Sequence, residues 1–161
     1  METLQNTKQD YDELLQLVSF YLGKEEYGVD ILKVKEINKM MQLTKVPNAP
    51  YYVEGVINLR GKIIPVVDLR TKLGMSRKEN DKNTRIIVVE VEEKTLGFIV
   101  DEVSEVLRIP KSVTEAPPEL VSGVDSEYIT AVGKLDDRLL ILLDLNKVFT
   151  NEQKEVLNAI N

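Results

Sequence analysis

The chain has 161 residues, of which 27 are acidic and 21 basic, so its formal net charge is -6 and its pI lies near 4.9, and it contains neither histidine nor cysteine. The acidic balance, with only six Tyr and three Phe, argues against a nucleic-acid partner, which needs a basic face to neutralise phosphates and aromatic platforms to stack bases. The missing cysteines exclude disulfides, thiolate metal sites and thiol nucleophiles, and the missing histidines remove the commonest general base and metal ligand. Any enzyme reading is left with carboxylate, Lys, Tyr and Ser/Thr chemistry. A chain this long buries roughly 70% of its unfolded surface as one domain, or divides into two small cores sharing an interface.

In chain order, Met1 to Asn6 is polar and acidic where a signal peptide is basic and then apolar, and residues 1 to 12 are expected to be mobile. No apolar run approaches 18 residues, and the expected location is the cytoplasm. Leu14 to Leu22 reads as a first strand with Leu15, Leu17 and Leu22 as its apolar positions. Lys24-Glu25-Glu26 makes a turn, Tyr27 to Val29 pairs back, Asp30 caps a short helical segment from Ile31 to Val34, and Lys35 to Met41 continues as a strand ended by Pro47 and Pro50. Gly55 to Leu69 reads as an apolar β-hairpin bent at Arg60-Gly61, followed by a short helix from Leu69 to Leu73 capped by Asp68. Pro65, which cannot donate to a ladder, places its strand at an edge or a bulge. Gly74 to Thr84 is polar and reads as a linker.

The run Arg85 to Val91 is rich in Val and Ile and is expected as a buried strand. Thr95 to Val100 and Val103 to Ile109 follow around a bend at Asp101-Glu102, then an irregular connection marked by Pro110, Pro117 and Pro118, then a second hairpin from Tyr128 to Leu135 and Leu139 to Leu143. Phe149, Val156, Leu157 and Ile160 share one face of a C-terminal helix at about 151 to 160. The chain echoes itself. Val56, Leu59, Asp68 and Leu69 recur 76 residues on as Val132, Leu135, Asp144 and Leu145, with Lys62 answered by Arg138, and Tyr27 to Ile37 aligns 69 residues on with Leu96 to Val106. About ten short strands in two echoing units, 14 to 73 and 85 to 149, predict an all-β fold of two small barrels with brief connecting helices, and a duplicated unit presents two similar surfaces with different side chains.

Three separated motifs, Glu26 to Ile37, Gly55 to Leu69 and Gly97 to Asp101, with the closing Asp137 to Leu142, resemble the CheW family of bacterial chemotaxis coupling proteins over nearly the whole chain. The resemblance implies two intertwined five-stranded barrels of the SH3/OB-like kind, no catalysis, no cofactor and no metal. It also implies a cytoplasmic scaffold recruited to receptor arrays at the inner face of the membrane. Its partners would be the regulatory domain of a CheA-type histidine kinase and the cytoplasmic tip of a methyl-accepting chemoreceptor, with no nucleic acid and only indirect membrane association. Other readings are a scaffold of a non-flagellar chemosensory pathway, an oligonucleotide-binding barrel and a carboxylate-pair hydrolase.

By the same resemblance, Ile31, Val34 and Gly55 are the kinase-binding candidates, and Glu36, Arg60, Gly97, Val103 and Val106 the receptor-binding candidates. Read from the residues alone, Ile31, Val34 and Ile37 at spacing three share a face of a helical nub and pack in the core, Val103 and Val106 are buried strand positions, Arg60 is a solvated turn charge, and Gly28, Gly55, Gly61 and Gly97 meet backbone requirements. A bidentate Arg60 to Glu36 pair is a further expectation. Lys39-Met40-Met41 either fills a gap or widens an interface. Asp68 and Asp144 are read as caps rather than metal ligands, and neither Asp136-Asp137 nor Asp101-Glu102 has the alternating oxygens of a calcium loop.

Overall fold

The structure, a computed structural model, describes residues 12 to 117 and 127 to 160. Eleven strands form two sheets. They are β1 (Leu14–Leu22), β2 (Glu25–Asp30), β3 (Val34–Lys39), β4 (Val53–Leu59), β5 (Lys62–Asp68), β6 (Arg85–Val91), β7 (Lys94–Val100), β8 (Glu102–Pro110), the two-residue β9 (Thr114–Glu115), β10 (Ile129–Lys134) and β11 (Leu139–Leu143). Two helices, α1 (Leu69–Lys72) and α2 (Asn151–Ile160), join them. The predicted 1 to 12 segment, but for Asp12, and Pro118 lie outside the described residues.

One sheet runs β3-β6-β7-β5-β4 and the other β8-β1-β2-β11-β10-β9. Shifting the first half onto the second turns β1, β2, β3, β4 and β5 into β6, β7, β8, β10 and β11, and the two orders become the same order. Each sheet therefore combines the first two strands of one unit with the later strands of the other, three in the first sheet and, counting β9, four in the second. Of the seams between units, β5–β7 and β11–β2 are parallel pairings in matching register, Val66 opposite Gly97 and Leu142 opposite Gly28, while β3–β6 and β1–β8 are antiparallel. This is the all-β, intertwined pair of small sheets that the family resemblance implies, one with five strands and the other with the two-residue β9 added as a sixth.

Three apolar clusters hold it together. Ile57, Ile64, Val66, Ile86, Val88 and Ile99 fill one sheet's concavity, with Met40 packed against them. The repeat-equivalent Leu140, Leu142 and Leu17, with Ile109, fill the other. Between the sheets lies a larger core around Phe20, Leu22, Val67, Val89, Phe98, Leu143 and Phe149, in which Phe98 and Phe149 stack with ring centroids 5.9 Å apart. Strand alternation explains the division, because neighbouring residues such as Val66 and Val67, or Leu142 and Leu143, face opposite sides of their sheet. Met40 is thus a gap filler, while Met41 stays exposed.

Short capped turns join the strands. Asp30 accepts from the amide of Leu32 at 2.9 Å and opens a turn of 3-10 helix over Ile31–Lys33. Asp68 accepts from Arg70 N at 3.1 Å and Asp144 from Asn146 N at 2.9 Å, so both aspartates are caps. Thr150 and Gln153 exchange reciprocal bonds, Thr150 N to Gln153 Oε1 and Gln153 N to Thr150 Oγ1, a capping box that starts α2. Asp101 accepts from Gly23 N at 2.7 Å and from Arg70 Nη1 at 2.5 Å, tying the β7–β8 bend to the β1–β2 turn and to α1.

Three sequence expectations are corrected. Pro65 does not mark an edge, because β5 lies inside its sheet between β4 and β7. Val56, opposite Pro65, turns both its amide and its carbonyl away to Thr44, so Pro65 faces it where no ladder bond to β4 is due, and the pairing with β7 begins one residue later at Val66. Ile31, Val34 and Ile37 do not share a helical face: Val34 begins β3, Ile31 and Val34 are half-buried against the main core, and Ile37 is exposed. On α2 only Leu157 is buried, with Ile160 packed beside it, while Val156 points outward.

Candidate functional site

The β4–β5 hairpin closes on a two-residue turn, with Leu59 paired to Lys62. Arg60 and Gly61 have φ of 54° and 85°, the positive values that a type I′ turn demands at both central positions. Gly61 takes this without strain and donates to Asn58 Oδ1 at 2.9 Å. Arg60 does so against the preference of every side chain with a Cβ, and its side chain is 72% exposed.

Arg60 reaches Glu36 on β3. Its Nη1 donates to Glu36 Oε1 at 3.4 Å, its Nη2 to Glu36 Oε2, and Asn38 Nδ2 adds a bond to Oε1 at 3.0 Å. These bonds, that of Arg60 first, hold the Glu36 carboxyl below its ordinary range, and the Arg60 guanidinium is raised in turn. Beside the pair a cleft of about 250 Å³ is lined by Lys35, Glu36, Leu59, Arg60, Lys62, Ile64, Val88 and Thr95.

The repeat builds the same corner with other charges. Arg138, the counterpart of Lys62, donates through Nε to buried Glu26 at 2.6 Å and lies 3.5 Å from Glu105 and 3.0 Å from Asp137. Glu105 is the counterpart of Glu36. Outward apolar positions are duplicated too: exposed Ile37 and Ile63 in one sheet answer exposed Val106 and Leu139 in the other. The two faces share apolar anchors and keep an acid at Glu36 and Glu105 and a base at Lys62 and Arg138, but Lys35, Arg60 and Gly61 are answered by Ser104, Asp136 and Asp137, so the second corner is the more acidic.

The remaining candidates fall in three settings. Val106, expected to be buried, is 57% exposed on β8, which lies at the edge of its sheet, while Val103 packs partly against the main core. Gly97 is buried, and a Cβ there would sit 2.8 Å from Ile86 Cγ2. Gly55, with φ of 155°, would put a Cβ 2.5 Å from the carbonyl oxygen of Thr44, at the point where Thr44 and Val56 exchange backbone bonds. Both glycines are requirements of close backbone or side-chain approach.

Sequence reasoning passed over Leu32. Between the half-buried Ile31 and Lys33, the capped 3-10 turn leaves Leu32 87% exposed, beside a cleft of about 450 Å³ that Leu14, also exposed, helps to line. The available signal was the Asp30 cap: a three-residue turn set between two strands pushes its middle side chain outward.

Comparison with known proteins places the chain. The model of the CheW-like domain matches residues 16–153. The chain is 39% identical over 145 residues to a chemotaxis protein CheW of Klebsiella aerogenes, covering 90% of this chain and 87% of that protein. It is 37% identical over 150 residues to the Thermotoga maritima chemotaxis protein CheW, covering 92% and 93%. The crystal structure of the scaffolding protein TtCheW from Thermoanaerobacter tengcongensis superposes with a TM-score of 0.81 at 40% identity, over 89% of this chain and 97% of that one. With its intertwined sheets and these relatives, the chain belongs to the CheW family, non-catalytic scaffolds of chemotaxis signalling.

Proposed function

We propose that the chain couples the cytoplasmic tips of methyl-accepting chemoreceptors to a CheA-type histidine kinase, at receptor arrays on the inner face of the membrane. The observation that carries this is a pair of separate exposed surfaces, the Leu32 turn between Ile31 and Val34, and the Arg60–Glu36 corner with Val106 on the edge strand of the other sheet, because one molecule then offers two partners two distinct surfaces. The kinase side uses Leu32 with the exposed edges of Ile31 and Val34, shaped by the close approach at Gly55. The receptor side uses Arg60, Glu36, Val103 and Val106, with Gly97 keeping the sheet beneath in place.

The chemistry is that of coupled binding. Small interfaces, on the order of 800 Å² per partner or less, are weak one at a time, and joining them raises affinity through effective concentration. Receptor control of the kinase follows when the receptor's signalling states bind the assembly unequally. Calorimetry against the kinase regulatory domain and against a soluble receptor fragment tests this. Leu32→Asp should abolish the first and spare the second, and Arg60→Ala the reverse; loss of neither in either variant would refute it.

A further inference from the structure

Within the Arg60 corner, the two units differ at one buried position. Glu26 on β2 and Thr95 on β7 are repeat-equivalent, both buried and both beneath a basic side chain from the neighbouring hairpin. In the second unit that base, Arg138, meets the Glu26 carboxylate at 2.6 Å. In the first unit it is Lys62, and its Nζ lies 3.4 Å from the Thr95 hydroxyl, which also receives Lys35 Nζ at 3.2 Å. A neutral acceptor thus stands where the repeat puts an anion.

The charges around the cleft do not restore the balance. Arg60 is matched by Glu36 and Lys35 by Glu90 Oε1 at 3.1 Å, while Lys62 has no ion pair among the described residues. A hydroxyl bearing two lysine ammoniums, open to solvent through a cleft of about 250 Å³, is one carboxylate short of the arrangement built at Arg138. A protein-borne carboxylate supplies the missing charge and two charge-assisted bonds.

We propose that the Lys62, Lys35 and Thr95 cleft is a carboxylate site that takes an acidic side chain from the receptor tip seated at Arg60. This rests on the coupling reading above and adds to it a specific ionic contact. The repeat also supplies the means of blocking it, since a glutamate at position 95 would occupy the place of Glu26 and satisfy Lys62 from within.

The test measures binding of the full chain to a soluble chemoreceptor signalling fragment at several salt concentrations, for the unmodified protein, Lys62→Ala and Thr95→Glu, with affinity for the kinase regulatory domain measured alongside. The expected result is a fall of about ten-fold or more for both variants, a shallower salt dependence, and unchanged kinase-domain affinity. Receptor binding of Lys62→Ala within two-fold of the unmodified protein overturns the carboxylate site and leaves the coupling reading standing. Absence of receptor binding by the unmodified protein overturns both. Lys62 is exposed, so Lys62→Ala decides the matter even if Thr95→Glu fails to fold. Competition by inorganic phosphate that follows Lys62 while receptor binding does not would reassign the cleft to a small anion and overturn the proposal.

Discussion

Arg60 holds Glu36 from a turn conformation that disfavours arginine, with a φ of 54°. Asparagine tolerates that conformation far better. Arg60→Asn should therefore raise the thermal midpoint by about 1 to 3 °C while lowering receptor affinity. Calorimetric scanning and a binding titration of the same sample would check the opposite signs.

The same pair predicts a pH dependence. Glu36 titrates below its ordinary value of 4.5 because Arg60 binds its charged form. A lowered carboxyl pKa stabilises the fold above the unfolded value and is lost as pH falls through the folded one. Carbon-detected NMR should find Glu36 titrating below its ordinary value, and Arg60→Ala should return it toward that value.

Gly55→Ala should cost about 2 to 4 kcal/mol, since the methyl collides with a backbone carbonyl that has no room to move. Gly97→Ala meets a side-chain methyl instead and should cost less, about 1 to 3 kcal/mol. Urea titrations of the two variants would give the order, and a kinase-binding loss in Gly55→Ala that tracks lost stability would identify the residue as a supporting one.

These glycines mark how far the sequence could be read. Strand periodicity, cap residues and the self-echo were enough for most elements and for two echoing units, because those depend on local patterns repeated at fixed offsets, while the intertwining was implied only by the family resemblance. Pro65 misled because its tolerance depends on where Val56 sends its bonds, and that is settled by Thr44, a residue outside the hairpin. Leu32 escaped, and Val106 was read as buried from the residues alone, because an apolar side chain at a turn centre or an outer strand face looks like core until its neighbours are placed. The change from Arg60 to Asp136 between the two hairpins was present in the letters, and the shared register of Leu142 with Gly28 and Val66 with Gly97 makes Glu26 and Thr95 comparable in space.

Arg70 and Asp101 form an ion pair with both side chains largely buried, and Asp101 also accepts from the Gly23 amide. Arg70→Ala leaves that carboxylate without its cation and should destabilise the fold by about 3 kcal/mol. Arg70→Ala with Asp101→Asn should recover part of the loss, as a denaturant double-mutant cycle would report.

At alkaline pH the limiting group is Tyr27. Burial, with the nearby Glu25 charge, pushes its hydroxyl up to about 12. A raised pKa of this kind leaves stability intact below the unfolded value near 10 and removes it as pH climbs toward 12. Tyr27→Phe should flatten the stability profile across that window.

The exchange of first strands between sheets also governs how the molecule is made. When β1 and β2 leave the ribosome, the strands that flank them, β8 and β11, have not been synthesised, so the N-terminal unit has no complete sheet to fold into. Native structure must await the last quarter of the chain, which favours slow, all-or-none folding and long exposure of apolar edges to chaperones. A chain cut in the 74 to 84 linker yields two fragments that should remain unfolded apart and regain structure only when mixed.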